Sequence, residues 1–416
     1  MCAFLRNYNL LKIPELLAPA GDMECLKAAV RFGADAVYLA GTEFGMRTAS
    51  KNFSVLDLKA AVDFAHNNDV KVYLTCNTVP RNDEIERLPE FIIKSAECNV
   101  DAFIVTDIGV LGLIKKYAPE CDIHISTQSG ITNYSAANAF FELGAARTVL
   151  ARELSIGEIS EISKNIPDDK EIECFVHGAM CMSFSGRCLL SNYLTGRDSN
   201  RGDCAQPCRW KYNIVEQTRP GEYFPITEDG DGTYIFNAKD MCMINYLPVL
   251  IKSGISSFKI EGRAKSSYYV AVITNAYRCA IDAYLDNPSD DFIPESWIID
   301  EVFKVSHREY CTGFYFSNPK DSANIFNKGC YIRDWDVCAV TLSADGEYVK
   351  AEQRNRFFEG DELEVLEPHV KPYKVFIEEL TDENGEHIKA APHPKMKLRF
   401  KCSRRIPPDS ILRKQK

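Results

Sequence analysis

No apolar run in this 416-residue chain is long enough to cross a bilayer, and the opening MCAFLRNYNLLK lacks the apolar core of a secretory leader. Both absences lead to the expectation of a cytoplasmic protein with no membrane partner, where sixteen cysteines are reduced thiols or metal ligands rather than a disulfide framework. No G-x-G-x-x-G follows the first apolar run, so a dinucleotide site has no support. Neither H-E-x-x-H nor a recognisable Ser, His and carboxylate pattern occurs, which leaves metalloprotease and serine protease readings without a motif. Positive charge is also short: the formal net charge is −10, which argues against a generic phosphate-binding surface.

What is present is an ordinary globular composition, 45% hydrophobic and 26% charged, in a chain long enough for a barrel-sized domain and a smaller second one. Its densest chemical feature lies at residues 173–210, where Cys181, Cys188, Cys204 and Cys208 follow the spacing C-x6-C-x15-C-x3-C. The intervening residues are rich in Gly, Asn, Asp and Arg, so loops can bring the four sulfurs together. Structural zinc favours short C-x2–4-C knuckles, whereas an iron–sulfur cluster tolerates irregular spacing; on spacing alone both readings stand. A cysteine protease would use one thiolate with a histidine and leave three clustered thiols unexplained. The remaining cysteines sit singly in apolar surroundings and read as small core hydrophobes. Cys242 is the exception, a rival to Cys208 as fourth ligand.

The first 280 residues alternate short apolar runs with amphipathic helical patterns. Eight such runs, PELLAPA, ADAVYLAG, VKVYLTCNTV, DAFIVTD, CDIHIST, RTVLARE, EIECFVHG and SSFKIEG, predict an α/β fold: a (β/α)8 TIM-like barrel over residues 1–285. Residues 286–327 read as a linker or helical connection. Residues 328–403, with short alternating strands and Gly-containing turns, read as a small antiparallel β-barrel, and 404–416 as a basic tail.

In such a barrel, polar residues just past the strand ends face the active site. Those positions hold Asp22, Arg47, Asn77, Asp107, Ser126, Gln128, Arg152, Glu153, His177, Glu261 and Arg263, with Lys239 in the segment that returns to the barrel. His177 and Glu261 are the candidate catalytic acid or base groups. Arg47, Arg152, Lys239, Arg263 and Gln128 are the candidate binding groups, and several cations at one mouth imply a small anionic ligand. Arg187, Arg197, Arg201, Arg209 and Lys211 surround the cysteines, and Trp210 and Tyr212 offer aromatic surface beside them.

The run Glu173-Cys174-Phe175-Val176-His177-Gly178-Ala179-Met180-Cys181, then Gly186-Arg187-Cys188-Leu189-Leu190-Ser191, resembles the signature E-x-F-x2-G-[SA]-x-C-x4-G-x-C-x-[LIVM]-S of the peptidase U32 family. PELLAPAGD, GADAVYL, ARELS, GDCAQPCRWKY, KDM, FKIEGRAKS and QRNRF-x2-GDELEV extend the resemblance over nearly the whole chain. SGRCLLSNYLTGRDSNRG followed by C-x3-C-R-W is similar to the branch that hydroxylates tRNA at the wobble uridine. The resemblance implies a [4Fe–4S] cluster on Cys181, Cys188, Cys204 and Cys208, with Cys242 as the alternative to Cys208. It further implies prephenate as a dianionic oxygen donor, a tRNA anticodon loop as substrate and a paralogous chain as a candidate partner. Sibling branches act on ribosomal RNA or a quinone precursor, and the older family label records collagenase-like proteolysis.

Overall fold

The computed structural model describes residues 13–46, 51–181, 183–210, 227–229, 232–234, 239–316, 331–402 and 404–416. Its core is a closed ring of eight parallel strands: β1 (Glu15–Pro19), β2 (Ala36–Ala40), β3 (Lys71–Cys76), β4 (Ala102–Val105), β5 (Asp122–Ile125), β6 (Arg147–Val149), β7 (Glu171–Ala179) and β8 (Ser257–Ile260). Each pairs with its sequence neighbour, and β8 closes the ring by pairing β7 on one side and β1 on the other. The strands are buried on both faces, which is why they read as near-continuous apolar runs. Leu16, Leu39, Leu74, Phe103, Ile123 and Phe258 pack outward under the helices, each stabilising the fold by roughly 1.5–3 kcal/mol.

The amino-terminal end of the barrel is plugged by charge. Arg147 at the start of β6 reaches Glu15 (2.6 Å), Glu171 (2.7 Å) and Glu173 (3.1 Å). Lys259 on β8 pairs with the same Glu173 at 2.6 Å. Burial opposes ionisation of Glu15, but the Arg147 guanidinium outweighs it and holds the carboxyl below its ordinary range. The opposite, carboxyl-terminal end is therefore the one open to a ligand.

Helices are started by the short polar residues that the sequence places after each strand. Asp22 accepts from the Cys25 N–H at 2.9 Å, and Asp107 from Gly109 and Val110 at 2.8 and 3.1 Å. Both aspartates, expected at the mouth as candidate site residues, are thereby engaged as helix caps. The long helix Ser267–Asp286 carries a continuous apolar face from Val270 to Tyr284 into the core.

The described part of the expected linker or helical connection, residues 286–316, packs on the barrel. Within them, helix Ser296–Glu301 packs Ile298 into the barrel core, and strand Tyr310–Cys311 pairs with Asp240–Cys242, which in turn runs antiparallel to β7. The carboxy-terminal unit is a curled antiparallel sheet of seven strands, with Ile411–Gln415 between Glu362–Leu366 and Trp335–Asp345. This corrects the expectation of a basic tail at 404–416. Arg413 is fully buried, bonded to Glu301 (2.6 Å) and Glu364 (2.5 Å), and so clamps the sheet onto the barrel. No helix among the described residues is long and apolar enough to cross a membrane.

Candidate functional site

A cavity of about 350 Å³ opens at the carboxyl ends of the barrel strands, within the size range of small-molecule sites. Its walls come from two sources. The barrel contributes Asn77, Gln128, Arg152, Lys259, Glu261 and Arg263; the loops after β7 contribute Cys181, Cys188, Cys204 and Cys208. The sequence-predicted cysteines and six of the predicted mouth residues, Ser126 included, are thus brought to one space.

Backbone geometry makes the junction between the two walls. Gly178 has φ +106°, and a Cβ there would lie 2.3 Å from the Glu261 carbonyl oxygen. Only glycine lets β7 end this close to the chain leaving β8. Next to it, Glu153 receives the Ser185 N–H and hydroxyl, each at 2.6 Å, and so latches the first cysteine loop to the turn after β6. Ala205 N–H donates to Ser191 Oγ at 2.9 Å, and Asn200 Nδ2 to the Cys188 carbonyl at 3.1 Å, tying the later loop to the earlier one.

None of the four cysteines is joined in a disulfide among the described residues. Cys188 Sγ accepts the Leu190 N–H at 3.3 Å and Cys204 Sγ the Gln206 N–H at 3.4 Å. Four thiols on one cavity wall, two of them already receiving backbone donors, suit a group held by four thiolates, whose negative charge such donors spread. Among the described residues no three His, Cys, Asp or Glu side chains stand at metal-holding separation, so ligation requires these loops to draw the sulfurs inward. Cys242 lies elsewhere, opposite His177 in the ladder and against Tyr277, where burial pushes its thiol up to about 11.

Arg152 crosses the mouth. Its guanidinium lies 3.7 Å from the Phe175 ring centroid, donates to the Ala179 carbonyl at 2.8 Å and meets Glu261 at 3.3 Å. Arg263 donates to Thr75 Oγ1 at 2.9 Å from a buried position. Lys259, which the sequence reading missed, sits over Tyr38 on the cavity floor. Inward-facing alternation along β8 is the signal that points to it.

Two of the predicted catalytic and binding residues fall elsewhere. His177, proposed as acid or base, does not line the cavity; it is 1% exposed among Tyr269, Tyr277 and Tyr310, with its ring nitrogens 3.4 Å from the hydroxyls of Tyr277 and Tyr310. Burial holds its pKa down at about 3, against the pull of Asp240. A neutral imidazole sealed in the wall has no access to a substrate in the cavity. Lys239 pairs with Glu309 at 3.2 Å outside the cavity lining. Arg47 lies outside the described residues, as do Lys211 and Tyr212.

Around the opening, Phe184, Leu189, Tyr193 and Leu194 are exposed, with Tyr193 at 87%. Arg187, exposed between them, makes no ion pair among the described residues. Arg197 and Arg201 are instead paired with Asp203 (2.7 Å) and Glu84 (2.8 Å), so the basic ring expected from sequence is partly neutralised. Trp210 is 43% exposed at the end of the same segment.

The sequence profile of peptidase family U32 matches residues 21–325, and that of the family's C-terminal domain matches 333–413. The tRNA hydroxylation protein P1 of Bacillus subtilis is 38% identical over 407 residues, 97% of this chain and 96% of that one. The tRNA hydroxylation protein P of Escherichia coli is 34% identical, covering 91% of each. The Escherichia coli 23S rRNA 5-hydroxycytidine C2501 synthase is 39% identical over 76% of this chain and 47% of its own length.

Proposed function

The chain belongs to peptidase family U32, and within it we propose an RNA-hydroxylating enzyme that converts the wobble uridine of tRNA to 5-hydroxyuridine with prephenate as oxygen donor and a [4Fe–4S] cluster as cofactor. One observation carries this reading: four thiols and a set of cationic side chains line a single cavity at the active end of the barrel. Cys181, Cys188, Cys204 and Cys208 would hold the cluster, which supplies electron transfer or a Lewis-acidic iron when bound.

The chain's own residues have separate tasks in this reading. Arg152, Arg263 and Lys259 offer the positive charge that a dicarboxylate needs, and guanidinium forks pair bidentately with carboxylates. Glu261, held against Arg152, keeps that guanidinium oriented before the donor arrives. The exposed Phe184, Tyr193 and Leu189, with Arg187 among them, suit a single-stranded loop whose bases are splayed onto apolar and cationic surface while one base enters the cavity.

The peptidase reading finds less support. His177 is sealed away from the four cavity thiols, so among the described residues no histidine lines the cavity to pair with a thiolate. The test is incubation of the purified protein carrying its cluster with unmodified tRNA and prephenate without oxygen, followed by nucleoside mass spectrometry. Appearance of 5-hydroxyuridine, lost when prephenate is omitted, supports the reading. Cleavage of unfolded collagen with no change in the tRNA overturns it.

A further inference from the structure

Gln128 stands in the cavity wall with its amide orientation decided by a chain of hydrogen bonds that begins on the backbone. The Met46 main-chain N–H donates to Asn77 Oδ1 at 3.1 Å. A backbone N–H is only ever a donor, so the other terminal atom of Asn77 is its nitrogen. That nitrogen, Nδ2, donates to Gln128 at 3.2 Å, which makes the receiving atom the carbonyl oxygen Oε1. The hydroxyls of Thr106 and Ser126 lie 3.4 and 3.5 Å from the same oxygen. Gln128 Oε1 is therefore committed to protein donors. Its Nε2 has no protein partner among the described residues and is not sealed from the cavity space.

We infer that Gln128 is a specificity-determining residue that offers an amide N–H to the 4-carbonyl oxygen of a uracil base and so selects uridine over cytidine. The inference rests on the RNA reading above. The two pyrimidines differ at this edge, where uracil carries a carbonyl acceptor and cytosine an amino donor. With Oε1 held by Asn77, Gln128 cannot turn its oxygen toward cytosine without setting its own N–H₂ against Asn77 Nδ2. Cytosine then meets donor against donor, and a buried site built for one hydrogen bond rejects the analogue that cannot make it. Asn77 is a positioning residue that acts through Gln128.

This geometry makes Asn77→Asp informative. An aspartate still accepts the Met46 N–H, but its second oxygen now faces Gln128 as an acceptor. Gln128 turns over to donate to it, and Oε1 points into the cavity, where it suits the cytosine amino group.

The experiment measures binding of the full chain with its cluster to anticodon stem-loops that differ only at the wobble base: uridine, cytidine or 2-pyrimidinone, which has no 4-substituent. The intact chain is expected to favour the uridine loop over the cytidine loop by about tenfold, with the pyrimidinone loop between them. Gln128→Ala should bring the uridine loop down and the cytidine loop up to a common level near the pyrimidinone loop, and Asn77→Asp should reverse the order. Unchanged melting temperature and cluster absorbance identify folded variants. Equal weakening of both loops by Gln128→Ala, or a uridine preference that persists in Asn77→Asp, overturns the assignment while leaving the RNA reading intact. If the intact chain binds none of the loops, the RNA reading falls and takes this one with it.

Discussion

Arg152 and Glu261 meet across the barrel mouth at 3.3 Å, joining the turn after β6 to the turn after β8 beside the cysteine loops. The guanidinium also rests on Phe175 and donates to the Ala179 carbonyl, so it is oriented from three sides. A cation held this way costs little to organise when an anion arrives.

Arg152→Ala is therefore expected to weaken prephenate binding roughly ten- to hundredfold, the loss of one charge-assisted hydrogen-bonding group, with iron content unchanged. Titration of the variant with prephenate, alongside iron and sulfide analysis, checks this. Wild-type affinity would remove Arg152 from the donor site.

Cys188→Ala and Cys204→Ala are each expected to lose the cluster, because their sulfurs line the cavity and receive backbone N–H groups. Cys242→Ala is expected to keep it, since that thiol is packed against Tyr277 outside the cavity lining. Anaerobic reconstitution with absorbance near the cluster charge-transfer band separates the three. Loss of the band in Cys242→Ala would make Cys242 the fourth ligand in place of Cys208.

His177 predicts a pH dependence of stability. Its folded pKa is about 3 against an ordinary value of 6.5, so the unfolded chain binds the extra proton between these limits. The contribution of a neutral buried imidazole is complete above 6.5 and is lost as pH falls toward 3, with a slope of up to about 1.4 kcal/mol per pH unit. His124, also held neutral by burial and by Arg147, adds a contribution of the same sign. Denaturant midpoints at pH 7 and pH 5 should lie closer together in His177→Phe than in the intact chain. An unchanged gap would mean that His177 is not neutral and buried.

Arg413→Leu is expected to cost about 3 kcal/mol, because it leaves the buried Glu301 carboxylate and Glu364 to share Lys304 alone at the junction of sheet and barrel. Chemical denaturation monitored by tryptophan fluorescence reads this, with Trp335 stacked beside Arg413. A change below 0.5 kcal/mol would show that the junction is not held there.

The barrel was legible because its strands are buried on both faces and each is followed by a helix-starting polar residue, as Asp22 and Asp107 illustrate. The cysteine wall was legible from spacing. His177 was misplaced because strand alternation from Glu173 through Phe175 carries it inward, whereas the β7–β8 pairing shifts register between Lys259 and Ile260 and leaves His177 facing the tyrosines. Sequence period alone does not reveal a bulge. The basic run at the carboxy terminus read as a solvated tail because Arg413 looks like its neighbours. Its burial depends on Glu301 and Glu364, which lie 112 and 49 residues away. Lys259 was missed for the same reason, since its partner Glu173 sits on another strand.

The central claim is best tested on total tRNA from a strain lacking this gene, complemented with the intact chain or with Cys188→Ala, by quantifying 5-hydroxyuridine-derived nucleosides by mass spectrometry. The account predicts that these nucleosides disappear in the deletion and return only with the intact chain. Undiminished levels in the deletion strain, with any paralogous gene also removed, would contradict it.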